Sequence, residues 1–196
     1  MSGTRYAPPS SNLAVAAPDD RQEFYVVSPG KFSILFLTTA GLYSLYWFYQ
    51  QWAFNKRYSG STVYPLFRTL LGFIYVFPLF RKVDRSLRRQ EAGHMRAWWV
   101  SGLGLLALSM AGTLVVIGSY DDQPVEELTL WTLWADAVMI GNFIIYLMAQ
   151  RRINVAALDP KGRTNSRLSA ANWVWITLGI IFWVMDIASL VALGVS

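Results

Sequence analysis

The sequence predicts an all-α integral membrane protein, a bundle of five transmembrane helices. Three observations carry that expectation. The 196 residues are 54% hydrophobic, and their mean hydropathy is +0.32. Charged residues make up 15% of the chain, where a soluble domain carries about 25%. The charges are also segregated. Five apolar runs cover 32–52, 62–80, 97–118, 128–148 and 172–194, and of 17 basic and 12 acidic residues only Arg68, Asp136 and Asp186 fall inside them. A hydrocarbon core about 30 Å thick is crossed by roughly 20 apolar helical residues, and each run has about that length. A soluble enzyme, a nucleic-acid-binding domain and a disulfide scaffold are excluded. The chain has no cysteine, so thiolate metal sites and cysteine nucleophiles are excluded as well.

Residues 1–27 read as a flexible N-terminal tail and 28–196 as the transmembrane helical domain. The tail holds Pro8, Pro9, Ser10 and Ser11, which favour extended chain. Ser28-Pro29-Gly30 is a turn before the first run, which ends in Tyr43, Tyr46, Trp47, Phe48, Tyr49 and Trp52. Trp and Tyr favour the headgroup level, where apolar ring and polar tip are both satisfied. The second run contains Pro65, Gly72 and Pro78. Proline removes a backbone donor and bends a helix, so 62–80 either spans or re-enters on one side. The third run contains Gly104 and Gly112, eight apart on one face, where small residues let helices approach closely. The fourth and fifth runs are uninterrupted apart from Asp136 and Asp186.

Loop charge sets the orientation. Residues 81–96 carry Arg81, Lys82, Arg85, Arg88, Arg89 and Arg96, and residues 149–171 carry Arg151, Arg152, Lys161, Arg163 and Arg167. Residues 119–127 carry only acidic groups, Asp121, Asp122, Glu126 and Glu127. The positive-inside rule places both basic loops in the cytoplasm and the acidic loop outside. It also explains the net charge of +5 without nucleic acid. With 62–80 as a span, the N-terminus is cytoplasmic and the C-terminus lies outside. If 62–80 re-enters, the N-terminus is outside.

Two groups of residues are candidate sites. An ionisable group in hydrocarbon is costly and is usually paired or functional. In the five-span arrangement Arg68, Asp136 and Asp186 share one layer, roughly 9–12 Å below the outer surface at 1.5 Å per residue. The expectation is a buried charge cluster, with the Arg68 fork bridging two carboxylates. It would act either as a structural pin or as an ion or proton site. The second group is Arg81, Lys82, Arg85, Arg88 and Arg89, a juxtamembrane stretch suited to anionic lipid headgroups. His94, the only histidine, has no ligand-spaced partner, so no metal or other cofactor is expected. No nucleophile–base set is legible either, so an enzyme is not expected.

Thr38-x-x-Gly41-Leu42-Tyr43-x-Leu45-Tyr46-Trp47-Phe48-Tyr49-x-x-Trp52 resembles the signature of an uncharacterised family of small bacterial multi-pass membrane proteins, a domain of unknown function. The similarity continues at Pro65-x-x-Arg68, Leu79-Phe80-Arg81-Lys82, Gln150-Arg151-Arg152-Ile153-Asn154, Pro160, Asn165 and Ser169-x-x-Asn172. Where that family often has a Trp before the Arg of the Pro-x-x-Arg piece, this chain has Phe67. The resemblance implies a bacterial inner (cytoplasmic) membrane location and no particular activity. The functional expectation is a non-enzymatic interaction or accessory subunit, partnered by membrane lipids and by other membrane proteins or itself. The alternative is a small proton- or cation-linked channel or transporter working through the intramembrane carboxylates.

Overall fold

The computed structural model describes residues 22–95, 97–118 and 125–194. Most of the expected tail and much of the acidic loop lie outside that range. All regular structure among the described residues is helical. Three of the five apolar runs fall within single continuous helices: α5 (Trp98–Gly118), α6 (Val125–Ala156) and α7 (Ala170–Gly194). The stretches Leu130–Ala156 and Ala170–Ala188 are long and apolar enough to cross a membrane, and Trp98–Leu114 is a shorter apolar helix. In the most apolar 18 residues of each of the two long stretches only 6% and 11% of residues are buried. A core helix of a soluble protein would be mostly covered, so these helices present their apolar sides outward.

The other two runs are not single helices, and the five-helix expectation changes there. The first divides into α1 (Pro29–Thr38) and α2 (Tyr43–Ser59). Ser28 caps α1 by accepting the Lys31 N–H, and Pro29 occupies the first turn, where its missing N–H costs nothing. The helix stops because Ala40 and Gly41 take left-handed backbone, with φ of 48° and 85°. The Gly41 N–H turns back to the Phe36 carbonyl at 2.8 Å, a Schellman-type ending in which Ala40 holds the left-handed position that glycine usually fills. α2 then runs back along α1, with Phe32 packed against Tyr43 and Trp47. The second run divides at Leu71 into α3 (Pro65–Leu70) and α4 (Gly72–Arg89). α3 lies along α2, and Gly72 reaches the Phe48 ring. α4 continues through the basic stretch. Its buried Val76, Leu79, Phe80, Val83 and Leu87 form one stripe, with Arg81, Arg85, Arg88 and Arg89 exposed.

α5 and α6 pack antiparallel through glycines. Gly104 faces Ile145, Gly141 faces Leu108 and Gly112 faces Val138, so these small residues serve contacts within the chain. α4 docks on this pair: Phe77 covers Gly102, and Gln90 Nε2 donates to the Ala156 carbonyl at 2.8 Å. α1 packs between α6 and α7. Phe36 meets Phe143 and Tyr146, and Trp183 Nε1–H donates to the Leu37 carbonyl at 3.0 Å. The tip of the α1–α2 hairpin therefore stops beside Gly179, nine residues into α7, or about 14 Å along it. The open ends of both hairpins gather with the C-terminal end of α6 and the start of α7, where most of the basic residues lie.

Candidate functional site

The most developed polar structure is a clasp at this basic end. An extended strap, Phe24–Ser28, crosses it with Phe24, Val26 and Val27 buried. Four amides hold the strap. Gln51 Oε1 accepts the Tyr25 N–H at 3.1 Å, and Gln51 Nε2 donates to the Tyr25 carbonyl at 2.9 Å. Asn154 Nδ2 donates to the Val27 carbonyl at 2.9 Å, and Asn165 Nδ2 to the Val26 carbonyl at 2.9 Å. Gln150 is the fourth: its Nε2 donates to the Tyr25 carbonyl at 3.4 Å and to Asn154 Oδ1 at 2.6 Å, and its Oε1 accepts from Trp47 Nε1–H. Gln51, Gln150 and Asn154 have no exposed surface, so their hydrogen bonds have no competing water. Lys31 closes the clasp, donating to Asn165 Oδ1 at 2.6 Å and to the Arg167 carbonyl at 2.8 Å.

The loop after α6 is shaped to receive the strap. Asp159 accepts the Arg163 and Thr164 N–H groups and the Thr164 hydroxyl at 2.8–3.0 Å. These donors, the Thr164 N–H foremost, hold its carboxyl below the usual carboxylate range against a smaller opposing effect of burial. The short 3-10 turn Arg163–Asn165 follows, and it aims Asn165 at the strap. Gly162 stands at φ 64°, and a Cβ there would lie 2.6 Å from Ser28 backbone atoms. Glycine is therefore required both by conformation and by the closeness of the strap.

The clasp was not among the expected sites. The signal was present: Gln150 and Asn154 lie four apart on one helix face, next to an apolar run. Trp47, Gln150, Asn154 and Asn165 come from three separate parts of the chain and meet only in the clasp.

The expected charge cluster is not assembled. The Arg68 guanidinium stacks over the Trp52 ring at 4.0 Å and the Tyr75 ring at 5.0 Å. Among the described residues no ion pair joins it to Asp136 or Asp186, which sit half-buried on α6 and α7. The break at Leu71 is the reason: it leaves Arg68 on short α3, which packs on α2 and α4. Cation–π contact with two rings takes the place of the carboxylates.

The basic stretch is a surface, as its sequence implies. Arg81, Arg85, Arg88 and Arg89 are exposed and Lys82 is half-buried. Arg88 Nε–H donates to Asp84 Oδ2 at 2.8 Å, and Asp84 Oδ1 accepts the Met95 N–H at 2.9 Å. Glu23 faces this surface. Burial raises its carboxyl above the usual range, and the fields of Arg89, Lys82 and Arg85 oppose that rise. Among the described residues no group of three His, Asp or Glu side chains could hold a metal ion.

A lateral groove of about 430 Å³ lies between the α1–α2 hairpin and α7. Leu35, Leu42, Leu45 and Trp175 give it apolar walls, with Tyr46, Ser169 and Asn172 at its end nearest the basic loop. No protein-family model matches the chain, and no curated protein or solved structure is found similar to it.

Proposed function

We propose that the chain is a bacterial inner-membrane protein acting as a non-enzymatic interaction or accessory subunit. α5, α6 and α7 cross the bilayer, and the α1–α2 and α3–α4 hairpins enter and leave from the cytoplasmic side. The N-terminus is cytoplasmic and the C-terminus outside. Gathering of basic residues where both hairpins open supports this orientation. The non-helical tip at Thr39–Leu42 is packed against α7, and irregular backbone at membrane depth is tolerated where protein covers it.

The observation that carries the functional reading is the use of the buried amides. Gln51, Gln150, Asn154 and Asn165 all bind the chain's own strap. The surfaces left for partners are lipid-facing apolar helices and a cationic face. That face, Arg81, Lys82, Arg85, Arg88 and Arg89, contacts anionic headgroups, at ~1 kcal/mol per cation near the surface. A small proton- or cation-linked channel or transporter is the second reading, favoured by carboxylates at Asp136 and Asp186 within long apolar helices. Crosslinking in native membranes, followed by purification and mass spectrometry, tests the first. A stoichiometric partner or defined oligomer is expected. A lone monomer whose vesicles carry a flux abolished by Asp136→Asn or Asp186→Asn would overturn it.

A further inference from the structure

We propose that the groove between the α1–α2 hairpin and α7 is a binding site for one acyl chain of an anionic phospholipid of the cytoplasmic leaflet. The inference rests on the membrane placement proposed above. The 430 Å³ groove does not end at Trp175. A second cavity of about 140 Å³, lined by Leu178, Gly179 and Phe182, shares Thr39, Leu42 and Trp175 with it. Together they follow α7 from Ser169 to Phe182, thirteen residues or about 20 Å. One leaflet's share of the hydrocarbon core is about 15 Å, so the groove accepts a chain along its depth.

Its dimensions select the occupant. The two cavities are narrow and run end to end, about 430 and 140 Å³ in volume, which suits a single extended hydrocarbon chain. The apolar walls suit that chain: the Thr39 hydroxyl, deep in the groove, is spent on the Leu35 carbonyl, and Ser169 and Asn172 stand at the mouth. There Ser169 and Asn172 cap each other, Ser169 N–H to Asn172 Oδ1 at 3.0 Å and Asn172 N–H to Ser169 Oγ at 3.3 Å.

Charge at the mouth selects the headgroup. Arg167 is exposed two residues before Ser169. The Lys31 ammonium lies beneath it on the Arg167 carbonyl, one helical turn from Leu35 of the groove wall. The partners of Lys31 are neutral oxygens, so no described carboxylate offsets its charge. A headgroup phosphate over Arg167 would meet net positive potential, with its chain already directed into the groove.

The test uses the full chain, extracted from membranes in mild detergent, with retained phospholipid identified and counted per protein. Ala171→Trp obstructs the mouth from α7, and Leu45→Trp narrows the groove from the hairpin; the two do not share a folding risk. Arg167→Gln removes the exposed cation. The parent should retain a single phospholipid, enriched in anionic species over the bulk membrane. Both Trp variants should lose most of it. Arg167→Gln should keep a lipid but lower the anionic preference about fivefold, the worth of one surface cation. Equal retention in the parent and both Trp variants, or retained lipid of bulk composition, would overturn the proposal. Carbonate extraction separates the two readings. A parent released by carbonate refutes the membrane placement, and a parent that stays in the membrane yet holds no lipid refutes the groove alone.

Discussion

Gly179→Ala sets local propensity against tertiary packing, and the two predict opposite signs. In the middle of a helix, alanine is favoured over glycine by ~1 kcal/mol. On that ground alone the substitution in α7 is stabilising. The tertiary structure reverses the expectation. A Cβ at Gly179 would lie 1.9 Å from the Thr38 carbonyl oxygen and 2.6 Å from its carbon. A comfortable carbon–oxygen contact is about 3.3 Å, so α1 has to retreat from α7 by roughly 1.4 Å. The obstructing atoms are backbone and cannot rotate aside. Retreat also stretches the Trp183 Nε1–H bond to the Leu37 carbonyl, now 3.0 Å. Overpacking of this kind costs ~1–3 kcal/mol, at the upper end here because the helix must move as a body. After the propensity gain, the net loss is ~1–2 kcal/mol. For a chain of this size that lowers Tm by about 2–8 °C. The assay is retention of the monodisperse size-exclusion peak after heating in mild detergent. Gly30→Ala is the control: nothing lies within 4 Å of a Cβ there, so its Tm should equal or slightly exceed the parent's. A Gly179→Ala protein as stable as the parent, or more so, would refute the close approach of α1 to α7.

Gln150→Leu should destabilise the fold by at least ~2 kcal/mol in the same assay, because Trp47 Nε1–H and Asn154 lose a buried partner; unchanged Tm would show that the clasp is not needed for stability. The cysteine-free chain allows Ser59→Cys to report topology. An impermeant maleimide should label it only after the inner membrane is broken, whereas labelling of intact spheroplasts from outside would restore a full span at 32–52. Asp159 contributes to loop order through its ionised form. Its folded pKa is depressed, so that contribution is present above the ordinary carboxylate range and is lost as pH falls through the depressed value. Carboxyl NMR should place its midpoint below that of a free aspartate, and a midpoint at or above it would contradict the hydrogen bonding to Thr164.

The helical class, the two helices long and apolar enough to cross a membrane, the shorter apolar helix before them and the cationic face of α4 were legible in the sequence, because each depends on composition or local periodicity. Lys and Arg placement along the chain needs no folding to be read. The hairpins were less legible. Hydropathy measures how apolar a run is and not whether its backbone is continuous. In 32–52 the interruption lies at Ala40 and Gly41, where two left-handed residues reverse the chain without any charge or proline. In 62–80 the break falls at Leu71, beside Gly72 and midway between Pro65 and Pro78, and composition alone does not say whether such a break bends or reverses the chain.

Arg68 shows the consequence. Its depth and charge suggested the carboxylates of α6 and α7, yet α3 packs on α2 and α4, and aromatic rings receive the guanidinium. The clasp has the same origin. Gln51, Gln150, Asn154 and Asn165 are dispersed over more than a hundred residues of chain, and each alone reads as an ordinary polar side chain. The sequence by itself determined which segments are apolar and where the cations lie, since those are properties of residues one at a time. Only the tertiary structure decided that two of those segments turn back and that four scattered amides meet on one strap. Backbone reversal and long-range hydrogen bonding depend on what each residue packs against.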